Sequence, residues 1–116
     1  MKKNKIVITG GAGFVGTNLI NLLLKKTKYK IISIDNYSSG KKKNHIKNKR
    51  VNYIKADTKN ISQILKNSKS INSIFHFGEF ARIYQSFLKM SECINSNSLG
   101  TIAVFNYCLK NKIKLI

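Results

Sequence analysis

Short β-branched apolar runs alternate with stretches of helical spacing along this chain, the pattern of an α/β protein with a doubly wound parallel sheet. A glycine-rich turn, Thr9-Gly10-Gly11-Ala12-Gly13-Phe14-Val15-Gly16, joins the first run to the first helical stretch. The 116 residues contain no proline and show no shift in composition, so they fit a single domain. Parallel strands then need right-handed crossovers through the helices.

Each element has a local reason. Lys5–Thr9 is a short β-branched run ending at glycines, the mark of a buried strand. Phe14–Lys26 carries Val15, Leu19, Leu22 and Leu23 at helical spacing, with Lys25 and Lys26 at the end where the helix dipole favours cations. Lys30–Asp35 is a second strand, and the polar stretch 36–50 is a loop. Residues 51–56 form a third strand, and 61–67 a short helix on Ile61, Ile64 and Leu65. Residues 73–77 form a fourth strand. A long helix follows over about 90–110, with Cys93, Val104, Phe105, Cys108 and Leu109 on or near its apolar stripe. Residues 114–116 look like the first half of a fifth strand, so the sheet is expected to be truncated at about that point. Ile74, Phe75 and Phe77 would then lie on a strand with an open apolar edge, which invites aggregation.

Composition narrows the function. Lys and Arg number 22 against 4 Asp and Glu, a formal charge of +18. Arginine occurs only at Arg50 and Arg82, whereas base and phosphate readers favour its bidentate fork. The lysines are scattered among Asn and Ile, as a coding bias toward A and T would leave them, and the dense stretch 41–50 reads as a solvated loop. No specific nucleic-acid partner is expected. No apolar run approaches a membrane span, and glycines interrupt the N-terminal apolar stretch too early for a signal peptide. Cys93 and Cys108 match neither a zinc nor a redox spacing and read as buried reduced thiols, so no metal is expected and the cytoplasm is the expected location.

The glycine turn carries the strongest chemical signal. Gly11, Gly13 and Gly16 satisfy G-x-G-x-x-G, and Gly10, Gly13 and Gly16 satisfy G-x-x-G-x-x-G. Glycines are needed where the turn is tight, the backbone approaches a pyrophosphate, and the helix packs on the strand. The helix N-terminus then offers free N–H donors to the phosphates. A P-loop would require Lys before Ser or Thr, but Gly16 is followed directly by Thr17. Asp35 ends the second strand nineteen positions after Gly16, close to the place of an acid that binds ribose hydroxyls. A carboxylate there repels a 2′-phosphate, so the expected cofactor is NAD rather than NADP. Asp57 repeats the logic at the end of the third strand, where it can reach the adenine edge.

These residues resemble the Rossmann-type extended short-chain dehydrogenases/reductases, specifically NAD-dependent epimerases/dehydratases of the UDP-glucose 4-epimerase type, over nearly the whole chain. Gly10, Gly11, Gly13, Phe14, Val15 and Gly16 match the family's glycine loop. Asp35, Asn36, Ser38, Ser39 and Gly40 resemble its adenosine-ribose segment, and Asp57 with Thr58 its adenine contact. Phe77, Gly78 and Glu79 follow His76 in a motif that usually reads His-Leu-Ala-Ala and runs toward the nicotinamide. Asn97 opens an Asn-x-x-Gly-Thr on the long helix, near the nicotinamide. Glu79 departs from the pattern, since small residues are usual there.

The resemblance implies hydride transfer on a nucleotide-sugar substrate, with a tyrosine base beside a lysine. It admits a homodimer of the complete protein. The family's catalytic Ser or Thr and Tyr-x-x-x-Lys lie beyond the fifth strand, so no catalytic residue is expected in this chain, which reads as an N-terminal NAD-binding part. Tyr37-Ser38-Ser39-Gly40-Lys41 matches Tyr-x-x-x-Lys by letter, but it lies in a loop where Gly40 weakens any helix. His76, at the end of a buried strand, reads as a packed, hydrogen-bonded residue. Two alternatives stay open, a stand-alone dinucleotide-binding module without catalysis and a basic nucleic-acid-binding protein.

Overall fold

The computed structural model describes residues 2–78 and 88–116. Among them, five parallel strands form one sheet: β1 (Lys5–Thr9), β2 (Lys30–Asp35), β3 (Val51–Lys55), β4 (Ile71–His76) and β5 (Lys114–Leu115). Their spatial order is β3-β2-β1-β4-β5. β1 is therefore central, and the chain reverses its direction of travel across the sheet between β1 and β4. Helix α1 (Phe14–Lys26) links β1 to β2. A single turn, α2 (Ile61–Ile64), follows β3 after a 3₁₀ turn at Thr58–Asn60.

The long helix expected over 90–110 is present in three pieces: α3 (Met90–Ile94), a π-helical stretch at Asn95–Gly100, and α4 (Thr101–Asn111). α4 stops at Lys112, whose φ of 54° is the left-handed turn that closes many helices.

Alternation along β1 sends its side chains to two cores, because successive Cβ atoms of a strand face opposite ways. Ile6 and Ile8 pack with Ile20 of α1 and Ile31. Val7 joins Ile34, Ile74, Ile61 and Leu65 beneath Val104, Tyr107 and Cys108 of α4. Helices thus cover both faces, as the doubly wound pattern requires.

The helical stripes are rotated from those expected. On α1 the buried residues are Gly16 and Ile20, while Val15 and Leu22 are 55% and 52% exposed. Gly16 decides this rotation, since it seats against Gly10 and Gly11 and drags Ile20 and the flanking Leu19, Leu23 and Leu24 inward. On α4, Val104, Tyr107 and Cys108 face the sheet, leaving Phe105 and Leu109 exposed. Tyr107 takes the inward place because its hydroxyl donates to the Leu65 carbonyl at 2.7 Å. Cys108 is buried as expected, but Cys93 is only half-buried.

The open edge expected at β4 is also corrected. Ser73 and Ile74 pair with Lys114 and Leu115, Ile116 N–H donates to Ile74 O, and His76 N–H donates to Ile116 O. Three residues suffice to satisfy the outer side of β4, and Ile74 is fully buried.

Candidate cofactor site

The carboxyl ends of β1 to β4 open on a cleft at the point where the strand order reverses, the usual ligand position of an open parallel sheet. Its walls are Gly10 and Gly13 of the glycine loop, Asp35, Asn36, Ser38, Ser39 and Gly40 after β2, Asp57 and Thr58 after β3, and Phe77 and Gly78 after β4. These residues, widely separated in sequence, are brought together along one cleft. Ile34, Ala56 and Lys59 also line the cleft and were not singled out from the sequence. Lys59 is the one with chemical interest, an exposed cation next to Thr58 that a contact motif of two residues does not reveal.

Gly11, Val15, Gly16 and Asn97 do not line it, and Phe14 lines a shallower basin on the other side of the glycine loop. Phe14 is 83% exposed. The Asn97 amide lies 3.6 Å from Cys93 Sγ. Glu79 lies outside the described residues.

The glycines have different jobs. Gly10 has φ +73°, and a Cβ on it would sit 2.7 Å from the Phe77 carbonyl oxygen. A Cβ on Gly11 would strike Ser33 Oγ at 2.0 Å, and one on Gly16 would strike Gly10 O at 2.3 Å. Gly13 alone in the loop lacks such a neighbour, its nearest being Gly10 O at 3.4 Å. Three of the four are therefore demanded by packing, while Gly13 has open space beside it and lines the cleft. Helix α1 begins at Gly13 with no side-chain cap and no acid in its first turn, so its positive end is uncompensated.

Asp35 does more than its sequence position suggests. Its Oδ2 accepts from Ala12 N–H at 3.0 Å and its Oδ1 from Tyr37 N–H at 2.8 Å, so the carboxylate braces the glycine loop from the second strand. Each oxygen keeps a lone pair for a further donor. The Ala12 carbonyl is held in turn by Asn44 Nδ2 at 2.8 Å and Lys41 N–H at 3.2 Å. The stretch 41–50, expected to be solvated, is thus a strap across the glycine loop. Its last residue, Arg50, donates to the carbonyls of Leu24, Thr27 and Tyr29 and ties off the end of α1. Asn36 Nδ2 donates to Asp57 Oδ1 at 2.9 Å, linking the two acid-bearing corners.

On the β4 side, His76 Nδ1 lies 2.6 Å from Thr9 Oγ1 and its Nε2 lies 2.9 Å from Thr101 Oγ1. Thr9 Oγ1 also accepts from Gly78 N–H at 2.9 Å. His76 therefore joins β1, β4 and α4 under the cleft.

A model of the NAD dependent epimerase/dehydratase family matches residues 6–116. The chain belongs to that family. Among curated relatives, a UDP-N-acetyl-alpha-D-glucosaminuronate decarboxylase of Bacillus cytotoxicus is 32% identical, the match covering 98% of this chain and 36% of that protein. Among solved structures, the UDP-N-acetylglucosamine 4-epimerase of Methanobrevibacter ruminantium M1, in complex with UDP-N-acetylmuramic acid, superposes with a TM-score of 0.81. It is 30% identical over 99% of this chain and 37% of its own. The Bordetella bronchiseptica enzyme WbmG, in complex with NAD, gives a TM-score of 0.80 at 25% identity over 96% of this chain and 36% of its own. This epimerase/dehydratase chain spans little more than a third of the length of each. No helix among the described residues is long and apolar enough to cross a membrane.

Proposed function

We propose that this chain is the N-terminal NAD-binding part of a nucleotide-sugar epimerase or dehydratase. The observation that carries the reading is Gly13, the glycine of the loop that packing does not require, set at the uncapped start of α1 and lining the cleft. A pyrophosphate there would accept from the free N–H groups of the first helical turn, including those of Phe14 and Val15, with Gly10, Gly11 and Gly16 shaping the approach. The remaining lone pairs of Asp35 would take the adenosine ribose hydroxyls, beside Asn36, Ser38, Ser39 and Gly40. Asp57 and Thr58 would border the adenine, and Phe77, Gly78 and Asn97 the nicotinamide side.

When bound, NAD supplies a hydride acceptor that takes a hydrogen from the sugar and returns it. What this chain contributes is binding and orientation. Asp35 fixes the glycine loop and discriminates at the ribose, and the His76 pair of hydrogen bonds sets the end of β4 against α4. Proton transfer is not assigned to any residue here. Calorimetric titration of the chain tests the reading. It should bind NAD more tightly than NADP, because the Asp35 carboxylate repels a 2′-phosphate. Equal affinity for the two, or none for either, would overturn it.

A further inference from the structure

We propose that His45 is a positioning residue for the adenosine half of the dinucleotide, acting through Tyr37 on residues 38–40 of the cleft wall. The proposal rests on the cofactor reading above and concerns one side of the same site.

Tyr37 has a φ of 61°, the left-handed region that is unfavourable for a residue with a bulky side chain. Such a backbone persists only where its surroundings overdetermine it, and it recurs at ligand clamps. Tyr37 N–H donates to Asp35 Oδ1 at 2.8 Å, and its phenol oxygen lies 2.6 Å from His45 Nε2. The His45 ring lies flat on Tyr53 of β3, with centroids 3.8 Å apart and planes 9° apart. The Tyr53 hydroxyl accepts from Ile46 N–H at 2.9 Å, so the imidazole is fixed to the sheet both by its own ring and by the next peptide. Burial, then the Asp35 carboxylate and Tyr53, push the Tyr37 phenol above its ordinary value. The phenol oxygen and His45 Nε2 thus share one hydrogen bond, its direction set by the imidazole tautomer.

This bond closes the chain from 37 to 45 into a ring. The residues of that ring that line the cleft, Ser38, Ser39 and Gly40, come directly after the strained one. Ser38 N–H turns back onto Asn36 Oδ1, whose amide reaches Asp57, so a change at Tyr37 is passed to both acid-bearing corners. Strain gives the latch its purpose. Released from His45, Tyr37 relaxes toward negative φ and carries the ribose wall out of its binding position. Lost preorganisation then appears as lost affinity for the part of the ligand that this wall touches.

The test uses His45→Ala, His45→Gln and Tyr37→Phe in this chain. ADP and inorganic pyrophosphate are titrated by NMR, and the melting midpoint of each variant is measured. Pyrophosphate meets the glycine loop and α1 but not the ribose wall. Tyr37→Phe and His45→Ala are expected to weaken ADP by about fivefold to twentyfold and to leave pyrophosphate unchanged. His45→Gln, whose side-chain oxygen can accept from the phenol, should recover much of the loss. Unchanged ADP affinity in both His45→Ala and Tyr37→Phe overturns the proposal, as do equal losses of ADP and pyrophosphate that follow the melting midpoint. If His45→Ala does not fold, Tyr37→Phe decides by the same criteria. A wild-type chain that binds no ADP removes the cofactor reading itself, and this proposal with it. A wild type that binds ADP no better than its variants overturns only the role of His45.

Discussion

Gly13→Ala and Gly16→Ala each add one methyl to the same loop and should fail in different assays. On Gly16 the methyl carbon would lie 2.3 Å from Gly10 O and 2.7 Å from Gly11 Cα, contacts that backbone atoms cannot rotate away from. Helix α1 would have to lift off the glycine loop, and overpacking of this kind costs about 1–3 kcal/mol. Alanine's helix preference over glycine returns about 1 kcal/mol, leaving a net loss of up to about 2 kcal/mol. For a chain of this size each kcal/mol lost lowers the melting midpoint by roughly 4–8 °C.

On Gly13 the methyl would have its nearest neighbour at 3.4 Å, and the backbone, with φ −85° and ψ −178°, suits any residue. The smaller freedom of the unfolded chain is worth about 0.4–1 kcal/mol, and alanine's weakness as a helix cap offsets a similar amount. The midpoint should therefore move by no more than about 2 °C. On the proposed function the same methyl stands where a phosphate would approach, so NAD affinity should fall at least about tenfold, or about 1.4 kcal/mol. Circular dichroism melts without ligand and calorimetric titration with NAD separate the two effects. A Gly13→Ala chain that melts as low as Gly16→Ala, or binds NAD like the wild type, would refute the division of labour among the glycines.

Ser33 Oγ is buried with no hydrogen-bond partner among the described residues, so Ser33→Ala should stabilise the fold by about 1 kcal/mol in urea titrations. Because a Cβ on Gly11 would strike Ser33 Oγ at 2.0 Å and Cβ at 2.7 Å, Gly11→Ala should be rescued by Ser33→Gly with a coupling of at least about 1 kcal/mol; additive effects would contradict the contact. Arg50→Lys keeps the charge but not the fork that spans Leu24 O at 2.7 Å and Thr27 O at 2.9 Å, and should cost about 1–2 kcal/mol by urea midpoint. Burial raises the Tyr107 phenol above its ordinary value. The folded state thus binds that proton more tightly than the unfolded chain does, and the stability is present below pH 10 and lost as pH rises past it. Stability should fall in alkali, and Tyr107→Phe should flatten that fall; an unchanged pH profile would count against the assignment.

The elements and the place of the site were legible because each has a local cause. The β-branched runs that became β1 and β2, the glycine turn, and the acids at the ends of the second and third strands are read from neighbours in sequence. Their meeting at the carboxyl end of the sheet follows from parallel crossovers alone. The long helix was legible as one segment, but its π-helical turn was not, since no spacing in 95–100 distinguishes it from an ordinary helix.

Tertiary structure decided which face of a helix turns inward and which polar side chains are structural. Periodicity offered Val15 and Leu22 as core residues, but the close seat of Gly16 on Gly10 rotated them out. The lysine-rich segment looked solvated by composition, yet Asn44, His45 and Arg50 within it hold a carbonyl of the glycine loop, a strained tyrosine and the end of α1. Sequence position offered Asp35 as a ribose ligand, but gave no sign that it braces Ala12 twenty-three positions earlier. Sequence determines what the backbone does with its own neighbours, because propensity, turn chemistry and strand ends are short-range. Contacts between distant segments depend on where the sheet's twist and crossovers deliver them, so the strap across the site became visible only in three dimensions.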